Sequence, residues 1–519
     1  MFRSRLAPPR LGSARIPFPL LAAAGCAAAL AAVPLLYLAV RISSAGTTGV
    51  MAVLARPRVP LLLVNTVTLT VFVTLSSTVL GVLSAWVLAR VRIPARRLLS
   101  ALAVLPLAVP SYLAAFGWLA AFPGIHGFWP AWLVLTVVTA PYVMLPVAAT
   151  LRGVSDAHTD VARTLGCTPV RAFLLVTWPT IRGSAFSGAL LVCLYVLADF
   201  GGVALFRYPV LTTAVQQAYG ASFDRDYAAV LAGLLVLLAM LVYLGERRIR
   251  PPRQFSTDRE GSRAPVRIGA WTPWAVAVLL LPVAGAVGVP VLSLLNRMRT
   301  AESVAALDPA DLAEAAVNTV LLSGAGAVIA VLLALPIATL AARYRSRTSR
   351  VLEAVASLPL AVPGIVVGLG LVFFSLGVLP ALYQTAAMLS FAYGVLFLPK
   401  AIGTVRGSIE RVPAALEDVA STLGRGRLNR WWKVTVRLAR PGVVVSVLFI
   451  TVTAMKELPA TLMLRPTGVE TLAVKVWAKT DISAYGAAVP YALALLVVAA
   501  VPALLLSPHN GSPDTETSR

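Results

Sequence analysis

An all-α membrane protein of about 12 transmembrane helices, arranged as two parallel six-helix repeats, is the fold this sequence predicts. Three observations lead there. The chain carries apolar blocks long enough to span a bilayer, its basic charge falls mostly on alternate loops, and its two halves repeat one another.

The blocks come first. Of the 519 residues, 59% are hydrophobic and 13% charged, which leaves too little polar surface for a water-soluble fold. A hydrocarbon core of about 30 Å takes about 20 helical residues to cross. Blocks of that order fall at 18–40, 61–89, 98–121, 130–151, 184–205, 227–245, 271–295, 315–342, 351–376, 380–402, 441–464 and 484–506. Long Ala/Leu/Val runs lack the alternation of a transmembrane barrel. The first block, with its arginines and Ala24-Gly25-Cys26, also fits a signal peptide with a lipoprotein-like site. Its continuation beyond Cys26 and the equivalent block in the second half favour a first transmembrane helix.

The net charge of +23 is distributed by topology. Arginines cluster at Arg3–Arg15, Arg90–Arg97, Arg247–Arg267, Arg343–Arg350 and Lys400–Arg440, all on one side of a twelve-span path. That is the positive-inside pattern, and it predicts a membrane protein with both termini cytoplasmic. Anionic membrane lipids suit part of the excess, and no nucleic acid partner is expected.

The duplication is explicit. Asn65-Thr66-Val67 recurs as Asn318-Thr319-Val320, 253 residues on (318 − 65). Leu105-Pro106-Leu107-Ala108-Val109-Pro110 recurs residue for residue as Leu358-Pro359-Leu360-Ala361-Val362-Pro363, and Leu145-Pro146 as Leu398-Pro399, at the same offset. Six spans is an even number, so both copies enter from one side. The organisation predicted is a cytoplasmic segment 1–17, a first repeat 18–246, a cytoplasmic linker 247–270, a second repeat 271–506 and a disordered tail 507–519.

Between the fourth and fifth spans of each repeat lies a long cytoplasmic loop, 153–183 and 407–440. The first contains Asp160-Val161-Ala162-Arg163-Thr164-Leu165-Gly166, and the second, 258 residues on (418 − 160), Asp418-Val419-Ala420-Ser421-Thr422-Leu423-Gly424. Each reads as a short helix stopped by glycine, then a turn and a second helix leading into the membrane. These loops resemble the Glu-Ala-Ala, three residues, Gly, nine residues, Ile-x-Leu-Pro loops of ATP-binding-cassette importer permeases. Val176-Thr177-Trp178-Pro179 matches the distal end, whereas Val434-Thr435-Val436-Arg437 lacks the proline. The resemblance implies that Asp160, Ala162, Gly166, Asp418, Ala420 and Gly424 belong to loops docking on an ATP-binding-cassette ATPase, in two copies. No G-x-x-x-x-G-K-[ST] segment occurs, so ATP is expected on that partner, and this chain is expected to be no enzyme and to carry no cofactor.

Carboxylates within a bilayer need a reason. Asp199 and Glu457 occupy the fifth and eleventh blocks, again 258 apart (457 − 199). Each falls about 15 residues past its block's start, or roughly 22 Å along a helix. They are expected to face each other across the pseudo-axis, lining an outer gate for a cationic or metal-bearing solute; the competing expectation is that they cap helix ends or pair with Lys456 and Arg207. Segments 211–219 and 470–478 are expected as short helices at the outer mouth. Neither the three histidines nor the three cysteines cluster, so no metal site is predicted.

Lys456-Glu457-Leu458-Pro459-Ala460-Thr461-Leu462-Met463-Leu464-Arg465-Pro466, followed by Glu470-Thr471-Leu472-Ala473, resembles the fused-repeat permeases of ferric-iron importers. That resemblance implies iron delivered by an extracytoplasmic solute-binding protein. Thiamine permeases share the twelve-span plan, and a secondary transporter is the alternative of a different class.

Overall fold

The repeated Leu-Pro-Leu-Ala-Val-Pro motif is where the helices break. Pro110 and Pro363 lack an amide hydrogen and push the preceding valine out of the helical region. Val109 (φ −91°, ψ 122°) and Val362 (φ −106°, ψ 126°) are accordingly extended, each after one short 3-10 turn. The computed structural model in which this is seen describes residues 16–152, 157–220, 224–249, 266, 268–299, 308–344, 346–424 and 426–505. Most of the 1–17 segment and the 247–270 linker, and all of the 507–519 tail, lie outside them.

The break corrects the expected spans. The segment drawn at 98–121 is two helices, Arg96–Ala108 and Ser111–Ala121, bent by 96°. The segment drawn at 351–376 is likewise divided into Arg347–Ala356 and Gly364–Val378. Among the described residues nine helices are long and apolar enough to cross a bilayer, ten if the bent pair is one span. Gly364–Val378 and Tyr485–Ala499 are shorter apolar helices. Among the described residues these make twelve apolar segments, of which nine or ten are long enough to span by themselves.

Each half is built on its second and fourth spans, Arg58–Arg90 with Phe128–Arg152 and Pro309–Arg343 with Ala386–Glu410. Lipid gives apolar side chains no reason to leave it, so close approach and polar contacts hold such pairs together. Ser77 Oγ meets Thr139 Oγ1 at 2.8 Å, and Trp132 Nε1 donates to Ser76 Oγ at 3.0 Å. The outward faces of the same helices carry exposed Leu61, Val64, Leu75, Leu321 and Leu332, as contact with lipid tails requires.

The halves are interlocked by exchange of their first spans. Phe18–Ser44 lies against Gly364–Val378 of the second half, where Gly370 meets the backbone of Pro34 and Tyr37 packs edge-on against Phe374 at 5.0 Å. Reciprocally, Val289–Arg297 lies against Ser111–Ala121 of the first half. There Ser293 Oγ donates to the Gly117 carbonyl (2.7 Å) and Arg297 Nε to that of Ala120 (2.9 Å). A methyl group at Gly117 would overlap Pro290, whereas one at Gly324 would meet nothing within 4 Å. Gly117→Ala is therefore expected to cost about 1–3 kcal/mol, the usual penalty of overpacking. Thermal unfolding in detergent should show a lowered midpoint for Gly117→Ala and none for Gly324→Ala.

The Asn-Thr pair at the head of each second span has a visible task. Thr66 Oγ1 accepts the Leu211 amide (3.0 Å) and Asn65 Nδ2 donates to the Pro209 carbonyl (2.9 Å). Thr319 Oγ1 accepts the Leu472 amide (2.9 Å) and Asn318 Nδ2 donates to the Glu470 carbonyl (3.4 Å). Both pairs clamp the start of a short helix, Leu211–Gly220 or Leu472–Asp481, which fulfils the expectation of short helices there. The second is held further by Lys475, which reaches Asp311 (2.7 Å) and Glu470 (2.6 Å). Burial alone would lower the Lys475 pKa; its hydrogen bonds to the two carboxylates outweigh that and hold it above the usual lysine value.

Candidate translocation site and coupling loops

The fifth span of the first half runs from Val170 to Ala198 and stops at Asp199, whose ψ of 129° leaves the helix. Glycines follow because the chain must turn against Tyr112: a Cβ on Gly201 would lie 2.6 Å from that residue's Cβ. The buried Asp199 carboxylate accepts the Ser111 hydroxyl on Oδ1 and the Val203 amide (3.2 Å) on Oδ2, capping Gly201–Leu205. The Thr212 hydroxyl donates to the Asp199 carbonyl at 2.7 Å, tying the break to the short helix beyond.

The second half repeats this with one exchange of volume. Trp431–Ala454 ends, Glu457 follows, and its Oε1 accepts the Ala460 amide (3.2 Å) at the head of Pro459–Leu464. The residue equivalent to Ser111 is Gly364 (111 + 253), and a Cβ there would overlap Glu457 Oε1. The longer carboxylate thus stands where its neighbour has no side chain. Gly364→Ser should destabilise the protein by about 1–3 kcal/mol through that overlap. Adding Glu457→Asp, which reproduces the first half's pair, should recover most of the loss in the same thermal-unfolding assay.

Asp199 and Glu457 line one cavity of about 260 Å³, together with both Leu-Pro-Leu-Ala-Val-Pro motifs, Lys400 and Lys456. The two carboxylates come from opposite halves, and each also caps a helix. Pairing with Lys456 or Arg207 is not seen among the described residues. Lys456 Nζ instead reaches across to the first half's motif, at 3.4 Å from the Leu107 carbonyl and 3.2 Å from that of Ala108. Lys400 stands beside the Phe397 ring, 5.1 Å from its centroid. Among the described residues no three His, Cys, Asp or Glu side chains converge as a metal site would require.

The loops between fourth and fifth spans share one geometry. Ala157–Thr164, which contains Asp160, ends at Gly166 in the left-handed region (φ +84°), closed by bonds from the Gly166 amide to Arg163 and from the Cys167 amide to Ala162, both 3.0 Å. Ala414–Thr422 ends at Gly424 (φ +73°), whose amide bonds to Ser421 at 3.0 Å. A widened turn, 173–177 or 431–436, then lies at the start of each fifth span. Ala162 is half-buried, Ala420 buried, and Gly166, Asp418 and Gly424 exposed. The side chain of Asp160 lies outside the described residues.

Ahead of each glycine an apolar side chain faces outward: Leu165 is 80% exposed and Leu423 72%. Val161 and Val419, one turn earlier, are exposed as well. Such side chains, at matching places in both halves, form two small exposed apolar surfaces.

Several residues of the site escaped the sequence reading. Glu417, beside Asp418, is ion-paired to Arg343 at 3.0 Å and accepts the Thr435 hydroxyl at 2.7 Å, anchoring the second loop to two spans. Its counterpart in the first half is Thr159, so the repeat did not signal it. Lys400 corresponds to Val147 and was hidden for the same reason. Ser111 and Gly364 had a usable signal, since each directly follows the repeated motif.

Comparison with known proteins adds an independent line. The model of the family described as binding-protein-dependent transport system inner membrane component matches twice, at residues 77–251 and 326–507, once in each half. The chain is 32% identical over 485 residues to the Fe(3+)-transport system permease protein FbpB 2 of Haemophilus influenzae, covering 92% of this chain and 95% of that protein. It is 33% identical over 193 residues to the molybdenum transport system permease protein ModB of Mycobacterium tuberculosis, covering 34% of this chain and 72% of that protein.

Proposed function

Because this chain belongs to the inner membrane components of binding-protein-dependent transport systems, we propose that it forms the translocation pathway of an ATP-driven importer whose cargo is ferric iron. The observation that carries the energy coupling is the pair of helix–glycine–helix loops with outward leucines, one per half. Two copies of an ATPase subunit dock there, and ATP is hydrolysed on them. The basic loops then face the cytoplasm, as do both termini. Asp160, Ala162 and Gly166, with Asp418, Ala420 and Gly424, shape the docking helices. Asp199 and Glu457 line the path, and an extracytoplasmic binding protein delivers the cargo to the opposite mouth.

The cargo reading rests on the relative that spans most of this chain, a ferric permease, and on the Lys456–Pro466 run. Uptake of labelled ferric iron and labelled thiamine, in a strain lacking this chain and in the same strain with it restored, tests the reading. Iron uptake should return with the chain and thiamine uptake should not move. Restored thiamine with unchanged iron would replace the cargo, and uptake persisting without the ATPase would remove the importer reading.

A further inference from the structure

Two ammonium groups stand in the central cavity beside its two carboxylates. Asp199 already accepts from Ser111 and Val203, and Glu457 from Ala460, so both carboxylates are partly occupied in holding their helix breaks. Lys456 donates to two carbonyls. Lys400 makes no hydrogen bond or ion pair among the described residues; its ammonium stands over the face of Phe397, lines the cavity, and feels the Glu457 carboxylate and the Lys456 ammonium only through space. An ammonium held in a poorly hydrated site without an acceptor is costly unless a mobile group completes it. Nor is this a by-product of the repeat, since the equivalents of Lys400 and Lys456 are Val147 and Ala198.

We propose that Lys400 and Lys456 form an oxyanion subsite in the translocation cavity, so that the metal crosses together with a phosphate or carboxylate ligand still bound to it. The inference rests on the ferric reading above for its metal, but not for its anion. The two ammonium groups offset the two carboxylates, so the cavity offers a bare trivalent cation no net attraction in a passage where charges act strongly over several ångströms. A ferric complex with phosphate or citrate presents both signs. Its metal end suits Asp199 and Glu457, and its anionic oxygens suit the two lysines. Because the lysines come only from the second half, the subsite has no counterpart in the first half and orients the complex.

The test uses the permease assembled with its ATPase in proteoliposomes, supplied with iron-loaded binding protein. Doubly labelled cargo, ferric iron with radiolabelled phosphate or with radiolabelled citrate, reports what enters. One labelled anion should enter with iron in constant ratio, phosphate and citrate being told apart by their separate labels. Lys400→Met should lower both uptakes by about tenfold or more, the worth of one charge-assisted hydrogen bond, while Lys400→Arg keeps both. Only variants that co-purify with the ATPase are compared; if Lys400→Met does not, the ratio in the unaltered protein decides. Iron entering without either anion, or at an unchanged rate through Lys400→Met, overturns the subsite and leaves the ferric reading intact. Anion entering without iron overturns the ferric reading and leaves the subsite standing.

Discussion

Replacing Leu165 and Leu423 together with aspartate should abolish ATP-driven uptake while the protein still folds. Both side chains are exposed and sit one residue before the glycine that ends each loop helix. Their removal takes nothing from the core, so thermal unfolding of the isolated chain should be unchanged. On a docked ATPase each leucine would contribute about 1.5–3 kcal/mol by burial. An aspartate in the same place adds the cost of desolvating a charge. Lost at two loops, this should weaken association by roughly 100-fold or more. Co-purification of the ATPase measures it directly, and single substitutions should fall between. A double variant that holds its ATPase and transports at the normal rate would mean that these loops are not the docking surfaces.

Neutralising both cavity carboxylates should have an effect of similar size for a different reason. Asn at 199 and Gln at 457 keep an oxygen for the Val203 and Ala460 amides, so both helix breaks stay capped. What disappears is negative charge on the path. If each carboxylate meets the cargo through a charge-assisted contact, Asp199→Asn with Glu457→Gln should cut uptake by at least about tenfold per site, at about 1.5 kcal/mol or more for each. ATPase association should be unaffected. Normal uptake in this double variant would assign both residues to capping alone.

How far the sequence disclosed this arrangement depends on what repeats. Asn65-Thr66, the Leu-Pro-Leu-Ala-Val-Pro motif, the loop glycines and the two carboxylates all stand in both halves, and all were found by offset. Their geometry was less legible. The proline motif was read inside continuous spans because hydropathy does not register a turn made of apolar residues, yet Pro110 and Pro363 break both helices there. The exchange of first spans was invisible, since it depends on Gly117 meeting Pro290 and Gly370 meeting Pro34, contacts between segments far apart in the chain. Glu417, Lys400 and Lys456 lie where the halves differ, so repetition carries no signal for them. Asymmetry within a duplicated membrane chain therefore merits as close a reading as the repeat itself.

If the cavity between the halves is the path taken by the cargo, one cavity position should change the side from which it is accessible. With Cys26, Cys167 and Cys193 replaced by serine, Thr453→Cys places a single thiol in the cavity lining. Membrane-impermeant thiol reagents are then applied from each side of proteoliposomes containing the assembled transporter, without nucleotide and after trapping with ATP and vanadate. The thiol should react from one side in the first state and from the other in the second. A thiol that reacts from neither side in both states, or from the same side in both, would contradict that role for the cavity.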